Sequence, residues 1–111
     1  MTFIWKKVVY FGYRIKLINM NKVYMDFGEA LLLMKHGFRV GRSGWNGKNM
    51  FLYYVSADRY PVKMDAAADI ADEVGMVEYG AYIALKTAQG YVVPWTASQT
   101  DILSTDWMVV E

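Results

Sequence analysis

The sequence contains no cysteine, and only one of its 111 residues, His36, is a histidine. Without cysteine the chain can form neither a disulfide nor a thiolate metal site, and it offers no cysteine nucleophile. One histidine is too few for a multi-histidine metal centre, and its Lys-His-Gly context is typical of a helix end rather than of a Ser-His-Asp triad. A phosphate-loop glycine pattern is also missing. We therefore expect no catalytic residues, no metal and no cofactor, and predict that the protein is not an enzyme.

Long hydrophobic runs are missing as well. No uninterrupted apolar segment approaches the roughly 20 residues that a bilayer-spanning helix needs. The apolar stretch near the N-terminus contains charged residues and no small-residue cleavage pattern, so a signal peptide is not expected. We expect a soluble cytoplasmic protein without a membrane partner.

Acidic and basic residues are unevenly distributed, although the net charge is only +1. Residues 1–24 contain five basic residues and no acidic residue, whereas residues 25–111 contain seven basic and eleven acidic residues. The larger part of the chain is therefore mildly acidic and lacks the basic face that binds a nucleic-acid backbone. We predict that nucleic acid is not a partner and that any anionic ligand is held by local donors.

Apolar residues are abundant, since 55% of the chain is hydrophobic and 16% is aromatic. A domain of this size leaves much of its apolar surface near the outside. We therefore expect a second copy of the chain to cover part of that surface in a homo-oligomer.

One helix is predicted over residues 27–36. Asp26 and Glu29 have the spacing of a capping box, and Gly37 is a natural left-handed terminator. Segments rich in β-branched and aromatic residues predict strands within residues 2–18 (two strands broken near Gly12), 38–42, 50–55, 78–86, 91–93 and 106–110. The prediction is a single small α+β domain, in which one main amphipathic helix packs on an antiparallel sheet of about four or five strands.

The connecting segments are less uniform. Residues 87–90 predict a hairpin turn, and Pro94 is expected to end the strand that returns from it. Residues 98–103 are compatible with one helical turn. Residues 56–79 predict either a short helix or a variable loop.

The first candidate binding motif is Gly-Trp-Asn-Gly at residues 44–47. Its two glycines allow a sharp turn and a close backbone approach, Trp45 offers a flat face, and Asn46 offers amide donors and an acceptor. A purine stacks on such a face with about 1–3 kcal/mol, and an amide can read the edge of the base. The alternative is a tight turn whose tryptophan plugs the edge of the sheet.

The second candidate motif is Pro-Trp-Thr-Ala-Ser-Gln-Thr-Asp at residues 94–101, where Trp95 stands beside hydroxyl, amide and carboxylate groups. Ser98 or Thr100 can cap the following turn and leave its N–H groups available for a phosphate. Asp101 can accept from a ribose hydroxyl or a base amine. The alternative is a polar capping loop in which Asp101 is a satisfied cap.

Other polar and aromatic residues have structural explanations that compete with functional ones. Arg42 can pair bidentately with a phosphate, but an arginine at this place can also pair with a surface acid. Four acids resemble a metal cluster without the order of a calcium loop, so a solvated helix face is expected for Asp65, Asp69, Asp72 and Glu73. Cross-strand packing or interface roles are expected for Tyr53, Tyr54, Tyr79, Tyr82 and Tyr91.

Several segments together resemble one protein family. They are residues 25–31 (Met-Asp-Phe-Gly-Glu-Ala-Leu), 41–47 (Gly-Arg-Ser-Gly-Trp-Asn-Gly), 81–88 (Ala-Tyr-Ile-Ala-Leu-Lys-Thr-Ala), 94–103 and 106–107. In this order they closely resemble the Thoeris anti-defense 2 family of small phage and prophage proteins. The resemblance covers residues 25–111.

The resemblance implies a function. The chain would bind a cyclic ADP-ribose-type signal, glycocyclic ADP-ribose, made by the TIR-domain protein of the bacterial Thoeris system, and would sequester it without degrading it. It would act as a homo-oligomer, a tetramer in many family members, in the cytoplasm of the infected host. Some members bind cyclic dinucleotides, which are therefore further candidate ligands. The alternatives are a nucleotide-modifying enzyme and an inhibitor that binds a host protein.

The matching motifs also imply a pocket between protomers. Trp45 would stack on a base, and Arg42 is the local candidate for the pyrophosphate. The remaining lining residues would be Asn46, Trp95, Thr96, Ser98, Gln99 and Asp101. Residues 1–24 match nothing in the family, so we expect an N-terminal extension, either an artefact before a natural start at Met25 or an added β-hairpin. Residues 25–111 would form the sponge domain, the domain that sequesters the signal.

Overall fold

A computed structural model describes residues 6–11, 14–19, 24–45 and 47–111. Its strands are β1 (Lys6–Phe11), β2 (Arg14–Asn19), β3 (Arg39–Arg42), β4 (Phe51–Val55), β5 (Asp58–Pro61), β6 (Met76–Tyr79), β7 (Tyr82–Lys86), β8 (Val92–Pro94) and β9 (Trp107–Val110). Its α-helices are α1 (Phe27–Lys35) and α2 (Gln99–Leu103), and a 3₁₀ helix spans Asp65–Ile70. None of the helices in the described part of the chain is long and apolar enough to cross a membrane.

Helix α1 begins where the sequence predicts. The Asp26 carboxylate accepts a hydrogen bond from the Glu29 N–H at 2.8 Å, which satisfies one of the free donors of the first turn. The helix ends at Lys35, one residue earlier than predicted, and Gly37 follows with a φ of +94°. That left-handed conformation suits glycine and turns the chain towards β3.

Five strands form one antiparallel sheet in the order β8-β7-β4-β3-β9, as predicted for a sheet of four or five strands. Helix α1 covers one face of this sheet, burying Leu33 and Met34 against Val40, Leu52 and Trp107. Each large apolar side chain buried in this way contributes about 1.5–3 kcal/mol. The architecture is therefore the predicted α+β domain with one main helix on a sheet.

The two strands predicted on either side of Gly12 are present. Strands β1 and β2 pair antiparallel, with Phe11 opposite Arg14, in a two-stranded sheet of their own. The division of the chain at residues 24 and 25 stays a prediction. At the start of the larger part, Met25 forms an isolated antiparallel bridge with Trp107, the first residue of β9.

Residues 56–79 differ from the prediction of a short helix or a variable loop. A helix is present as the 3₁₀ segment, but β5 and β6 flank it and pair as a hairpin that the prediction missed. Strand β5 is short, polar and ends in proline, so its sequence carries little strand signal. The Asp72 carboxylate stabilises the turn before β6 by accepting hydrogen bonds from the N–H groups of Val74 and Met76, each at 3.0 Å.

Two predicted boundaries are also wrong. The strand predicted over residues 78–86 is interrupted at Gly80 and Ala81, because β6 pairs with β5 whereas β7 pairs with β4. Pro94 does not end the pairing of β8, since the Trp95 N–H still donates to the Ile83 carbonyl at 2.9 Å. Strand β8 lies at the sheet edge, where the missing N–H of a proline can face outward. The turn at 87–90 is as predicted, with the Gly90 N–H bonded to the Thr87 carbonyl.

The four acidic residues before β6 are exposed, as expected. Only Asp65 and Asp69 lie on a helix, because the 3₁₀ segment ends at Ile70, so the predicted helix face does not extend to Asp72 and Glu73. Asp72 pairs with Arg59 of β5. Among the residues that the structure describes, no three histidine, aspartate or glutamate side chains are grouped so that they could hold a metal ion.

Candidate functional site

Sheet register brings the two tryptophan motifs to one end of the domain. Arg42, the last residue of β3, lies opposite Trp107, the first residue of β9. The loop with the first motif follows β3, and the segment with the second motif leads through α2 into β9. Two segments separated by about fifty residues in sequence therefore meet beside the same pair of strands.

A single arginine links the two segments. The Arg42 Nε donates to Asp106 Oδ1 at 2.8 Å, and its Nη1 donates to Asp101 Oδ1 at 2.7 Å. The side chains of Arg42 and Asp101 are only 15% and 16% exposed, so these charge-assisted bonds are partly shielded from water. Such bonds are about twice as strong as neutral ones.

The three charged groups stabilise each other's ionised forms. Hydrogen bonds to Asp106 and Asp101 raise the pKa of Arg42. Partial burial works to raise the pKa of Asp101, but hydrogen bonds from Arg42, Trp45 and Ser98 outweigh it, and the net pKa is lowered. The hydrogen bond from Arg42 is also the largest cause of the lowered pKa of Asp106. All three groups are therefore charged at neutral pH.

Asp106 also fixes the start of the first motif. Its carboxylate accepts from the Gly44 N–H at 2.8 Å and from the Ser43 hydroxyl at 3.3 Å, while its backbone carbonyl accepts from the Ser43 N–H. A Cβ atom at position 44 would lie 2.9 Å from Asp106 Oδ2. Glycine is needed here because the backbone approaches the carboxylate so closely.

Three of the four tryptophans, those within the described residues, form one aromatic group with a phenylalanine of α1. We call Phe27, Trp45, Trp95 and Trp107 the tryptophan cluster. Trp107 is fully buried at its centre, with Trp45 at 5.5 Å and Trp95 at 6.0 Å between ring centroids, both nearly perpendicular to it. Edge-to-face pairs of this kind add about 0.5–1.5 kcal/mol to the apolar burial.

Asp101 connects the tryptophan cluster to the charged network. Its Oδ1 accepts from Trp45 Nε1 at 3.3 Å, and its backbone carbonyl accepts from Trp107 Nε1 at 2.9 Å. It also completes a capping box, because the Asp101 N–H donates to the Ser98 hydroxyl while the Asp101 carboxylate accepts from the Ser98 N–H. One residue thus holds α2, the indole of the first motif and the guanidinium of Arg42.

The structure brings most of the predicted site residues together. Trp45 and Trp95 both touch Trp107, and the side chains of Thr96, Ser98 and Gln99 belong to exposed residues just before or within α2. Asn46 lies outside the described residues. The helical turn predicted over residues 98–103 is present as α2.

Two residues that were predicted to contact a ligand already have partners within the protein. Arg42, predicted for a pyrophosphate, already pairs with two carboxylates, and Asp101, predicted to accept from a ligand, is a satisfied cap and a hydrogen-bond partner of Trp45. Both were among the alternatives considered from the sequence. Their contact with a ligand stays a prediction.

Sequence reasoning missed two members of the site. Phe27 was not among the predicted site residues, yet its ring lies 5.1 Å from that of Trp107 and 5.8 Å from that of Trp95. Asp106 was likewise not among the predicted site residues. Its position directly before Trp107 was the available signal, since Asp-Trp follows the second motif in the sequence.

The residues of this site lie within a segment that matches a known protein family. A family model described as a Thoeris anti-defense 2-like domain matches residues 25–110, which contain both motifs and the whole charged network. The chain belongs to the Thoeris anti-defense 2-like family. The family resemblance noted in the sequence is thereby confirmed, and membership assigns this chain to phage counter-defence against the Thoeris system.

One relative in the Thoeris anti-defense 2-like family comes from Bacillus phage SP01. It carries the name Thoeris anti-defense 2 and is 43% identical over 89 residues, which cover 80% of this chain and 98% of the relative. This relative supports a bacteriophage context for the family.

Proposed function

We propose that this protein binds glycocyclic ADP-ribose, the cyclic ADP-ribose-type signal of the Thoeris TIR protein, and sequesters it in the host cytoplasm without degrading it. The Thoeris effector would then lack its signal. Cyclic dinucleotides, which share a purine base and phosphate groups with this signal, are further candidate ligands.

The observation that carries the proposal is the joining of the two tryptophan motifs in a chain of this family. Trp45 and Trp95 pack against the same buried ring, that of Trp107. The Arg42 side chain donates hydrogen bonds to the carboxylates of Asp101 and Asp106 and so links the segments that carry the two motifs. A protein that acts by sequestration removes one signal molecule for each binding site, so it must bind that signal tightly. Binding is tighter when the site is held in place before the ligand arrives.

The groups around the tryptophan cluster have the chemistry of a nucleotide site. Trp45 is half-buried and can present its remaining ring surface to a base, and Asn46 follows it in the chain. The exposed Thr96, Ser98 and Gln99 add hydroxyl and amide groups that can bond to ribose or phosphate oxygens. These residues would form one wall of the pocket.

Arg42 retains some capacity for an anion in this arrangement. Its Nη2 makes only a long contact of 3.5 Å with Asp106, whereas Nε and Nη1 make the short ones. A pyrophosphate oxygen near Nη2 would accept a hydrogen bond from a guanidinium group that two carboxylates already hold in position. Asp101 would act chiefly by aiming Arg42 and Trp45.

We further propose that a second copy of the chain completes the pocket in a homo-oligomer, with a tetramer as the expected assembly. Helix α2, next to the tryptophan cluster, exposes Ile102 and Leu103, the latter 77% exposed. Apolar side chains beside a polar wall are typical of an interface between protomers. Light scattering would measure the assembly.

The test is to incubate the purified protein with the signal, remove unbound nucleotide, denature the protein by heat and analyse what is released. Release of the intact signal supports sequestration. Release of an altered molecule would instead show a nucleotide-modifying enzyme. Failure to retain the signal would favour an inhibitor that binds a host protein.

A further inference from the structure

The loop that carries Trp45 is held at both of its ends, and only one end belongs to the site described above. Residues 43–50 connect β3 to β4, and we call them the Trp45 loop. Its N-terminal end is bonded to Asp106 through Ser43 and Gly44. Its C-terminal end instead contacts residues 86–88, at the end of β7 and in the turn that follows. These contacts come from outside both tryptophan motifs.

Asn49 gives the C-terminal end of the Trp45 loop an uncommon backbone conformation. Among the described residues it is the only one other than glycine with a positive φ, which is 61°. This left-handed conformation is unfavourable for a residue with a Cβ, although asparagine tolerates it better than most because its short polar side chain can bond locally. Such a conformation persists only where surrounding contacts hold it. At Asn49 the contact is a hydrogen bond from Lys86.

Sheet register places Lys86 beside the Trp45 loop. Lys86 lies opposite Phe51, the first residue of β4, which follows Asn49 by two positions. The Lys86 Nζ donates to the Asn49 carbonyl at 2.9 Å and lies 5.9 Å from the centroid of the Phe51 ring, within reach of a cation–π attraction. Because the donor is charged, the hydrogen bond to Asn49 is stronger than a neutral one.

Gly47 adds a packing contact to the same end of the loop. A Cβ atom at position 47 would overlap the Met50 side chain and would lie 3.1 Å from the Ala88 Cβ. The absence of a Cβ lets the backbone lie directly against Met50 and the β7–β8 turn. The C-terminal half of the Trp45 loop is therefore fixed to β7 by the Lys86 hydrogen bond and to the following turn by packing.

We propose that Lys86 is a positioning residue for the nucleotide site. By holding Asn49 it fixes the C-terminal end of the Trp45 loop, and through the loop it fixes the Trp45 ring against Trp107. A loop that is restrained at both ends loses less conformational freedom when a ligand binds, so the ligand binds more tightly. This inference rests on the proposed function and deepens it, because it assigns part of the affinity for the signal to a residue outside both motifs.

Calorimetric titration with glycocyclic ADP-ribose is the first test, on wild type and on Lys86→Met, which keeps an unbranched side chain but has no N–H donor. The Kd should rise by about three- to tenfold, and the mass of the assembly in light scattering should stay that of wild type. Lys86→Arg keeps a cationic donor and should retain most of the affinity. Asn49→Gly, which adopts a positive φ freely, should recover part of the affinity that Lys86→Met loses.

Amide hydrogen exchange of the ligand-free protein is the second test, and it does not depend on which nucleotide binds. The Gly44 N–H is bonded to Asp106, and the Trp45 N–H is bonded to the Arg42 carbonyl. Lys86→Met should speed the exchange of both amides by about threefold or more, although neither is bonded to Lys86. If wild type retains no signal, the proposed function fails, and the exchange rates alone decide the role of Lys86.

Lys35→Met is the matched control, because Lys35 is an exposed lysine at the end of α1; it should match wild type in both tests. The inference is overturned if Lys86→Met binds a signal that wild type binds with unchanged Kd, or if the Gly44 and Trp45 amides keep their wild-type exchange rates. Dissociation of the Lys86→Met assembly also overturns it, since Lys86 would then serve an interface. If Lys86→Met does not fold, Asn49→Ala replaces it, and it should weaken binding while Asn49→Gly does not.

Discussion

Asp106 is the residue whose removal should damage the site most without opening a large cavity. Its carboxylate accepts from Arg42, Ser43 and the Gly44 N–H, and the side chain is 27% exposed. Hydrogen bonds to charged groups are worth about 1.5–3 kcal/mol, and the partial exposure lets water replace some of that. We expect Asp106→Ala to lower the free energy of unfolding by about 1–3 kcal/mol.

The same substitution should weaken signal capture, because the loop that carries Trp45 loses its anchor at Gly44. Urea unfolding at neutral pH measures the stability, and the heat-release experiment measures the capture. Glu78→Gln, on an exposed strand position, is the matched control and should change stability by less than about 0.5 kcal/mol.

The pairing itself can be isolated with a double-mutant cycle of Asp106→Asn and Arg42→Met. Contacting charged residues in one network show coupling energies of about 0.5–3 kcal/mol. Additive effects of the two substitutions would contradict this coupling, as would an Asp106→Ala variant that is as stable as the Glu78→Gln control.

Three further predictions concern the same site. Trp45→Ala should abolish capture of the signal. Its cost in the free energy of unfolding should stay below the roughly 3–5 kcal/mol of a fully buried tryptophan, because Trp45 is only half-buried. If the variant unfolded or its assembly dissociated, Trp45 would be a purely structural residue. Gly44→Ala should destabilise by about 1–3 kcal/mol in urea unfolding, since the new Cβ would lie 2.9 Å from Asp106 Oδ2, and wild-type stability would contradict this. Folding lowers the pKa values of Asp101 and Asp106, so their charged carboxylates stabilise the folded state. This contribution is complete above the unfolded pKa of about 4 and is lost as the pH falls below that value. The free energy of unfolding lost between about pH 5 and pH 2 should therefore be smaller in Arg42→Met than in wild type.

Local signals explain which parts of the fold the sequence predicted. Helix α1 is bounded by Asp26 and Gly37, whose capping chemistry acts within a few residues and is visible in any sequence. The same holds for the turn at Gly90 and for α2 with its cap at Ser98. The β5–β6 hairpin escaped prediction because its strands are only four residues long, β5 is polar, and a 3₁₀ helix separates the two strands.

The candidate site was harder to predict because its contacts are distant in sequence. Arg42 meets Asp101 and Asp106 across 59 and 64 residues, and no local pattern specifies which acids an arginine will choose. The sequence indicated the two tryptophan motifs but not the buried Trp107 that joins them.

The central claim is that the protein captures an intact signalling nucleotide at the tryptophan cluster. The most direct measurement is the heat-release experiment on wild type and Trp45→Ala, with glycocyclic ADP-ribose as the probe and mass spectrometry as the readout. The account predicts that wild type releases the unmodified signal in proportion to the protein present, and that folded Trp45→Ala releases none. A modified product from wild type, or equal release from both proteins, would contradict it.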